Sequence, residues 1–273
     1  MEDRTIQHDG RPNLMANKRS LEESLVIGSG GKLTTDPQDT SKPLVVRGVI
    51  KKDHVNACIK AGRDFYYIDT GYLGNFISKG NPGGKKIWHR VVKNENQHSK
   101  IRKVPTDRWE KLLEQDPGID WNGWKNYDKK ILLVMPNPKA CKYYGIDFDT
   151  WVNETTNNIK KYSKLPIEVR VKGSRSARVK EYTIYDALDS GTYATVTMNS
   201  MAAIESVVHG IPAFVSVPCA ASPLSSNKVE NLSSPYKPSK QIIEQQCASL
   251  AYGQFTIEEI ENGTAYELTE KYS

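Results

Sequence analysis

The chain has 273 residues, of which 38% are hydrophobic and 26% are charged, and its formal net charge is +6. This length allows one large or two small domains, each able to bury a core. No apolar run approaches the roughly 20 residues of a membrane span, and the polar N-terminus lacks the apolar stretch of a secretory signal. We therefore expect a cytoplasmic protein without a membrane partner. The positive charge suits a polyanion or an anionic small molecule as partner.

The four cysteines are widely spaced and form neither a CxxC pair nor a Cys/His pattern: Cys58, Cys141, Cys219 and Cys247. This spacing predicts buried free thiols in a reducing compartment and no metal site. A nucleophilic cysteine needs an activating histidine. The histidine nearest to Cys219 in sequence is His209, at the far end of the preceding predicted helix, so we interpret Cys219 as structural.

Residues 1–42 are rich in polar residues and glycine without hydrophobic periodicity, which predicts a disordered leader. Residues 43–126 are assigned to an N-terminal α/β lobe on the acceptor side. Its predicted strands are residues 44–50, 64–75 and 86–92, and its predicted helices are residues 55–62 and 106–115, the second capped by Thr106.

Residues 127–273 are assigned to a C-terminal lobe in which strands and helices alternate. The predicted strands are residues 131–136, 167–171, 194–198 and 212–217. The predicted helices are residues 148–162, 179–189, 201–210, 239–254 and 256–268, the last beginning with a capping box of Thr256 and Glu259. Such alternation favours a parallel, doubly wound sheet. The predicted fold class is therefore α/β, with two Rossmann-like lobes, parallel sheets and a disordered leader.

The segment 197–214, TMNSMAAIESVVHGIPAF, carries the strongest functional signal. Asn199 and Ser200 follow a predicted strand and Met201 opens the next helix, where ligands of open α/β sheets bind. Backbone N–H groups at such a helix start suit a diphosphate. Further along the helix, Glu205 can accept hydrogen bonds from a ribose or sugar hydroxyl, or serve in a structural ion pair. We predict a donor site at these four residues.

This segment resembles the donor-binding segment of GT-B glycosyltransferases and of capsule-polysaccharide-type transferases. The matching residues are Asn199, Ser200, Glu205, Gly210 and Pro212. The stretches 216–238 and 250–266 resemble the tail of glycosyltransferase-like proteins encoded by tailed bacteriophages. Together the resemblance spans about residues 131–266. It implies a GT-B-like fold, a nucleotide-sugar donor such as a UDP-sugar, and no obligatory metal. For a phage protein, the compartment would be the host cytoplasm.

A basic loop follows the predicted strand 167–171. Its cations, Lys172, Arg175 and Arg178, can neutralise a pyrophosphate and stabilise it as it departs. We expect this strand to neighbour the strand 194–198, which would bring the loop beside Ser200. The alternative is a solvated basic loop.

A base that takes the proton of the acceptor hydroxyl is expected in the N-terminal lobe. Asp69, at the end of a predicted strand, and His89 are the two candidates. Their alternative roles are a turn-capping aspartate and a strand histidine that faces solvent. The turn after Asp69 is predicted to meet the acceptor through Gly71, Tyr72 and Asn75.

A basic stretch with interleaved tryptophans, residues 88–124, suits phosphates and exposed bases. We assign Arg90, Arg102 and Arg108 to contacts with double-stranded DNA. Together with the phage resemblance, this favours transfer of a sugar to a hydroxymethylated pyrimidine in phage DNA. The alternatives are a surface-polysaccharide transferase and a non-catalytic nucleotide- or DNA-binding counter-defence protein.

Overall fold

The computed structural model describes residues 6–8, 20–34, 41–48, 52–75, 87–171 and 183–273. These residues form two β-sheets with helices packed on them. The elements in chain order are β1 (Ile6–His8), α1 (Leu21–Gly28), β2 (Leu33–Thr34), β3 (Leu44–Arg47), α2 (Lys52–Ala61), β4 (Phe65–Thr70), β5 (His89–Lys93), α3 (Asp107–Gln115), β6 (Lys130–Val134), α4 (Pro138–Tyr144), α5 (Phe148–Tyr162), β7 (Ile167–Arg170), α6 (Ile184–Asp189), β8 (Thr192–Thr197), α7 (Ala202–Val208), β9 (Ala213–Val215), α8 (Lys240–Ala251), β10 (Gln254–Phe255), α9 (Ile257–Glu261) and α10 (Thr264–Lys271).

The first sheet is mixed and has the strand order β10-β5-β4-β3-β1-β2. Strands β1 to β4 run parallel, whereas β5 is antiparallel to β4 and β10 is antiparallel to β5. The prediction of parallel sheets is therefore wrong for this sheet. The two antiparallel pairings are not encoded in local periodicity, because β5 and β10 are short segments whose partners are set by the chain's return path.

The second sheet is parallel, as predicted, with the order β7-β6-β8-β9. Its central strand β6 is a continuous apolar run because helices cover both faces. Leu132 packs with Ala187 on one face, and Leu133 packs with Ile159 on the other.

The expected neighbour of β8 was the strand before the basic loop, and that expectation is wrong. Strand β6 lies between β7 and β8, so the end of β7 is two strands away from Ser200. Lys172 and Arg175 themselves lie outside the described residues. The alternation of strands and helices predicts a parallel sheet but not the order in which its strands are placed.

The prediction of a disordered leader is wrong for residues 20–34. Helix α1 begins with a capping box, in which Ser20 N donates to Glu23 Oε2 at 2.8 Å and Glu23 N donates to Ser20 Oγ at 3.1 Å. Leu25 and Val26 are fully buried in a core shared with the first sheet. A single apolar turn within a polar stretch is enough to dock this helix, although it leaves little periodicity to detect.

The last residues of the chain complete the first sheet. Strand β10 pairs with β5, and α9 and α10 bury Ile260 and Ala265 in the core that also contains Leu25. The assignment of all of residues 127–273 to the second lobe therefore fails for this segment. The capping box at the start of α9 is confirmed. The single helix predicted over residues 256–268 is instead interrupted at Gly263, whose φ is +94° and which packs against Gly28.

Residues after β5 join the two sheets. Gln97 Oε1 accepts from Ala220 N at 3.0 Å, and Gln246 Nε2 donates to Ala220 O at 2.7 Å. The largest core cluster lies between the sheets and contains Tyr72 and Leu73 together with residues of α7 and α8. This junction bounds a narrow cleft at Glu205.

Candidate functional site

Asp69 lies at the carboxyl end of β4 and is held in place by its neighbours. Its Oδ1 accepts from Thr70 N at 2.7 Å, and its Oδ2 accepts from Tyr67 OH at 3.2 Å and from Arg90 at 3.3 Å. The side chain is 36% exposed. Asp69 is thus a fixed, accessible carboxylate at an edge where ligands of α/β sheets bind.

The Arg90 guanidinium is buried beside Asp69. It donates to Asn96 O at 2.9 Å and to Thr70 O at 2.8 Å, and it stacks over the rings of Tyr67 and Tyr72. Burial alone would lower the pKa of Arg90, but the Asp69 charge and the two tyrosines raise it above its ordinary value. Arg90 therefore stabilises ionised Asp69 and does not face a DNA backbone, contrary to the prediction.

Arg102 and Arg108 are also engaged inside the protein. Arg102 donates to Ser249 Oγ at 3.2 Å, to Ser249 O and to Tyr272 O, and burial lowers its pKa to about 10. Arg108 pairs with both carboxylate oxygens of Glu259, at 2.6 Å and 3.2 Å. The predicted DNA contacts of these two arginines are corrected accordingly, since their guanidinium groups fasten C-terminal segments.

The turn after β4 is closed by its own side chains rather than open to an acceptor. Asn75 accepts from Ile87 N and Trp88 N and donates to Trp88 O, at distances of 2.6–2.8 Å. Tyr72 is fully buried. A Cβ on Gly71 would come within 2.8 Å of Trp88 Cβ. These predicted acceptor residues therefore have structural contacts, because the tight turn needs every polar group satisfied.

Tyr72 is further fixed by a buried histidine. Its hydroxyl lies 3.0 Å from His98 Nδ1 and accepts from His98 N at 2.9 Å. Burial, with Arg102 and Arg90 adding to it, lowers the pKa of His98 well below its ordinary value of 6.5. His98 is therefore a neutral structural residue.

The two candidate bases lie on opposite faces of the first sheet. Asp69 is paired in register with Arg90, and His89 is paired with Thr70. Since successive side chains of a strand alternate between faces, Asp69 shares the face of Tyr67, and His89 does not. Tyr143 of α4 packs against the Tyr67 core cluster. Of the two candidates, only Asp69 therefore lies on the face of the first sheet against which α4 packs, the helix that follows β6 of the second sheet.

The predicted donor segment forms a tight turn after β8. Ser200 Oγ accepts from Ala202 N at 3.3 Å, and Ser200 O accepts from Ala203 N at 3.1 Å. Met201 caps α7 without a side-chain hydrogen bond and packs against the largest core cluster. The helix ends at Val208, so it is shorter than the predicted residues 201–210.

Three elements meet at the Tyr144 hydroxyl. Asn96 Nδ2 donates to it at 2.9 Å, and the Asn199 side chain lies close enough to lower its pKa. Burial raises the pKa of Tyr144, and the two amides oppose that rise in part. Asn199 is half-buried and is one of the predicted donor residues that the structure brings toward the first sheet. Tyr144 was not predicted from the sequence, although the Asn137–Pro138 start and Gly145 end of α4 are recognisable helix signals.

Glu205 lies in a narrow cleft between the sheets and is 8% exposed. The cleft is lined by Tyr72, Leu73, Gly74, Asp116, Ile119, Tyr185, Glu205 and Val208, and its volume of about 10 Å³ fits about one water molecule. Burial raises the pKa of Tyr185, and the charges of Glu205 and Asp116 raise it further. Asp116 is 4% exposed, although nothing in the local sequence pattern marks it as buried.

Among the residues that the structure describes, no group of three or more His, Cys, Asp or Glu side chains is arranged to hold a metal ion. The four cysteines are buried and unpaired with one another, and burial raises the pKa of Cys219, which agrees with a structural role. In the same described ranges, none of the helices combines the length and apolar character required to cross a membrane.

The sequence matches no protein-family model, and a search of curated proteins gave no match either. Solved structures do match. The chain is similar to the beta Kdo 2,4 transferase of Thermosulfurimonas dismutans KpsC, with 12% identity, a TM-score of 0.53 and 91% of each chain covered. It is also similar to the beta Kdo 2,7 transferase of the same KpsC, with 13% identity, a TM-score of 0.53 and 99% of each chain covered.

At this identity the likeness establishes the fold: the chain has an α/β architecture like that of these transferase structures. The fold expected from the resemblance to capsule-type transferases is thereby supported, and the resemblance to DNA-modifying phage enzymes gains no support. The arrangement as two GT-B lobes stays a prediction.

Proposed function

We propose that the chain is a glycosyltransferase of the surface-polysaccharide type, which moves a sugar from a nucleotide-sugar donor to a saccharide hydroxyl. The observation that carries this proposal is the fold likeness to a Kdo transferase over 99% of both chains. The junction between the two sheets supports it. Asp69 binds Arg90, which donates to Asn96 O. The Asn96 side chain in turn contacts Tyr144 of α4, beside which Asn199 lies. Kdo is accordingly the first sugar to test.

In this proposal the donor lies at the carboxyl end of β8. Asn199 and Ser200 bind its phosphate groups, with Met201 shaping the floor of the site. Lys172 and Arg175 remain proposed as further phosphate contacts. Ligands of open α/β sheets bind at this edge, which supports the placement.

Glu205 is proposed to hold a ribose or sugar hydroxyl of the donor. The adjoining cleft of about 10 Å³ is too small for a sugar ring. One wall contains Leu73, which follows β4 of the first sheet. The other contains Glu205 of α7, which follows β8 of the second sheet. The sheets must therefore move apart for the donor to reach Glu205, as happens in enzymes that close around their substrates.

Asp69 is proposed as the base that accepts the proton of the acceptor hydroxyl. Its carboxylate is accessible, is oriented by Thr70 N and Tyr67, and forms an ion pair with Arg90. His89 is the weaker candidate because it lies on the other face of the sheet. DNA as acceptor loses its main support, because the arginines expected to contact phosphates are bonded within the protein.

The donor is tested by thermal unfolding of the full chain with UDP-glucose, UDP-galactose, UDP-N-acetylglucosamine, GDP-mannose and CMP-Kdo. A ligand that binds only the native state stabilises it by about 2.7 kcal/mol at 100 times its Kd. We expect at least one nucleotide sugar to raise the Tm, and Asn199→Ala to reduce that rise. Asn158→Ala, at an exposed position of α5, is the matched control. If no nucleotide sugar changes the Tm, the donor site does not exist as proposed.

A further inference from the structure

A second, wider cavity lies beside the C-terminal end of α7, at the opposite end of that helix from Asn199. Its volume of about 310 Å³ is at the lower end of the range for small-molecule sites, whereas the cleft at Glu205 holds about 10 Å³. Its polar lining comes from Asp120, Asn122, Lys125 and His209. None of these residues has a part in the site described above.

The loop that carries most of this lining is anchored by two tryptophans. Trp121 and Trp124 pack against the largest core cluster with their ring centroids 5.8 Å apart, and Trp124 Nε1 donates to Pro238 O at 3.3 Å. Asn122, between the two tryptophans, is exposed. The backbone is thus fixed before a ligand arrives, which reduces the entropy lost on binding.

A close backbone contact holds the same loop against α7. Lys125 N donates to Gly210 O at 2.8 Å, and a Cβ on Gly210 would come within 2.1 Å of Gly123 O. Gly210 also has a φ of +83°, a backbone conformation that residues with a side chain rarely adopt. This contact brings Lys125 beside His209 and forms one wall of the cavity.

The charges at the cavity are balanced against one another. Lys125 Nζ lies 2.6 Å from Asp189 Oδ1 and 2.7 Å from His209 Nε2, which itself lies 2.8 Å from the same Asp189 oxygen. Asp120 adds a negative charge to the lining. A polyanion such as nucleic acid finds no excess positive charge here. A ligand whose hydroxyl groups both donate and accept hydrogen bonds fits this mixed set of groups.

We propose that this cavity binds a neutral saccharide unit, namely the part of the acceptor glycan that lies beyond the reacting hydroxyl. The identification of that glycan as acceptor rests on the proposed function; the binding itself does not. The two cavities share Val208 as a lining residue. Glu205 and His209 are four residues apart, so they lie on one side of α7 and place both cavities along it.

Binding is tested on the ¹⁵N-labelled full chain by two-dimensional NMR, titrated with methyl β-glucoside, methyl β-galactoside and N-acetylglucosamine. We expect one of these sugars to shift the amide signals of Gly118, Asn122 and Gly123 in a saturable way. Asn122→Ala should raise the Kd at least tenfold. Asn126→Ala, an exposed neighbour outside the cavity lining, should leave the Kd unchanged.

The proposal is overturned if none of the three sugars shifts these signals, if Asn122→Ala binds as the parent chain does, or if inorganic phosphate binds there instead. Because the titration needs no donor and no turnover, its result is independent of whether a nucleotide sugar binds. Sugar binding without any donor binding would leave this site standing and remove the proposed transferase function. If a nucleotide sugar binds and transfer occurs but no sugar binds in this cavity, the proposed transferase function stands and this site is removed.

Discussion

At the scale of single residues, the ion pair of Asp69 and Arg90 links stability to the proposed chemistry. Arg90 is buried and its charge is balanced by Asp69. The Asp69 carboxylate therefore stabilises the fold in addition to its proposed catalytic role. Removing one partner of such a pair leaves a buried charge without compensation. A test of the base must therefore separate loss of folding from loss of catalysis.

The first prediction concerns Asp69 as the base. Asp69→Asn keeps the shape and the bond from Thr70 N but cannot accept a proton, so we expect transfer to fall by about 10²–10⁴-fold. The measurement is kcat at a temperature where circular dichroism shows the variant folded. His89→Asn is the control and should retain transfer within a few-fold. Full transfer by Asp69→Asn would assign the base to another residue.

The second prediction concerns the half-buried pair of Glu259 and Arg108. Burial alone would raise the pKa of Glu259, but the hydrogen bond and charge of Arg108 and the amide of Thr256 lower it below its ordinary value of 4.5. A depressed native pKa stabilises the fold above 4.5, and that contribution is lost as the pH falls through the native value.

Glu259→Gln should therefore lower the free energy of unfolding by roughly 1–3 kcal/mol near neutral pH. The difference from the parent chain should shrink as the pH falls below 4.5. Denaturant unfolding at several pH values measures this. Glu258→Gln, at an exposed neighbouring position, is the matched control. A difference that stays constant down to acid pH would contradict the assigned ion pair.

At the scale of elements, the sequence predicts what local spacing determines. The apolar run of β6 and the helical spacing of α5 were both recognised, and α5 spans Phe148–Tyr162 as predicted. The two-residue strand β10 and the order of the strands were not predictable, because distant partners decide them. Asp116 was missed for the same reason, since the cleft that it lines is also lined by Tyr185 and Leu73, which are far away in the chain.

The third prediction tests whether α1 is a packed element. Leu25 is fully buried, so Leu25→Ala should lower the free energy of unfolding by about 2–5 kcal/mol. Ile27 of the same helix is 38% exposed, and Ile27→Ala should change the free energy of unfolding by no more than about 0.5 kcal/mol. Denaturant unfolding of both variants gives the comparison. Equal, small effects would mean that this segment is not docked.

At the scale of the whole molecule, the chain does not divide into two consecutive halves. It crosses from the first sheet to the second after α3 and returns with β10, α9 and α10. The boundary predicted near residue 126 stays a prediction. The return of the chain was not predicted, because α9 and α10 look like ordinary terminal helices. The first sheet therefore depends on the end of the chain.

The fourth prediction follows from that return. Deleting residues 256–273 removes the burial that Ile260 and Ala265 provide for Leu25 and Tyr66, at a cost of at least about 3 kcal/mol. Amide hydrogen exchange should show lost protection in β3 and β4 and retained protection in β6 and β8, which serve as the control within the same molecule. Unchanged protection of β4 would contradict the described closure of the first sheet.

The central claim is that this molecule transfers a sugar from a nucleotide-sugar donor to an acceptor, and that the two meet between its two sheets. The most direct test incubates the full chain with the nucleotide sugar that raises its Tm and with a Kdo-terminated oligosaccharide, followed by mass spectrometry of the oligosaccharide. We predict that the acceptor gains the mass of one sugar residue and that Asp69→Asn greatly reduces this gain. The claim would be contradicted if the oligosaccharide kept its mass with every nucleotide sugar that raises the Tm while hydroxymethylated DNA gained a sugar. That result would restore the DNA hypothesis.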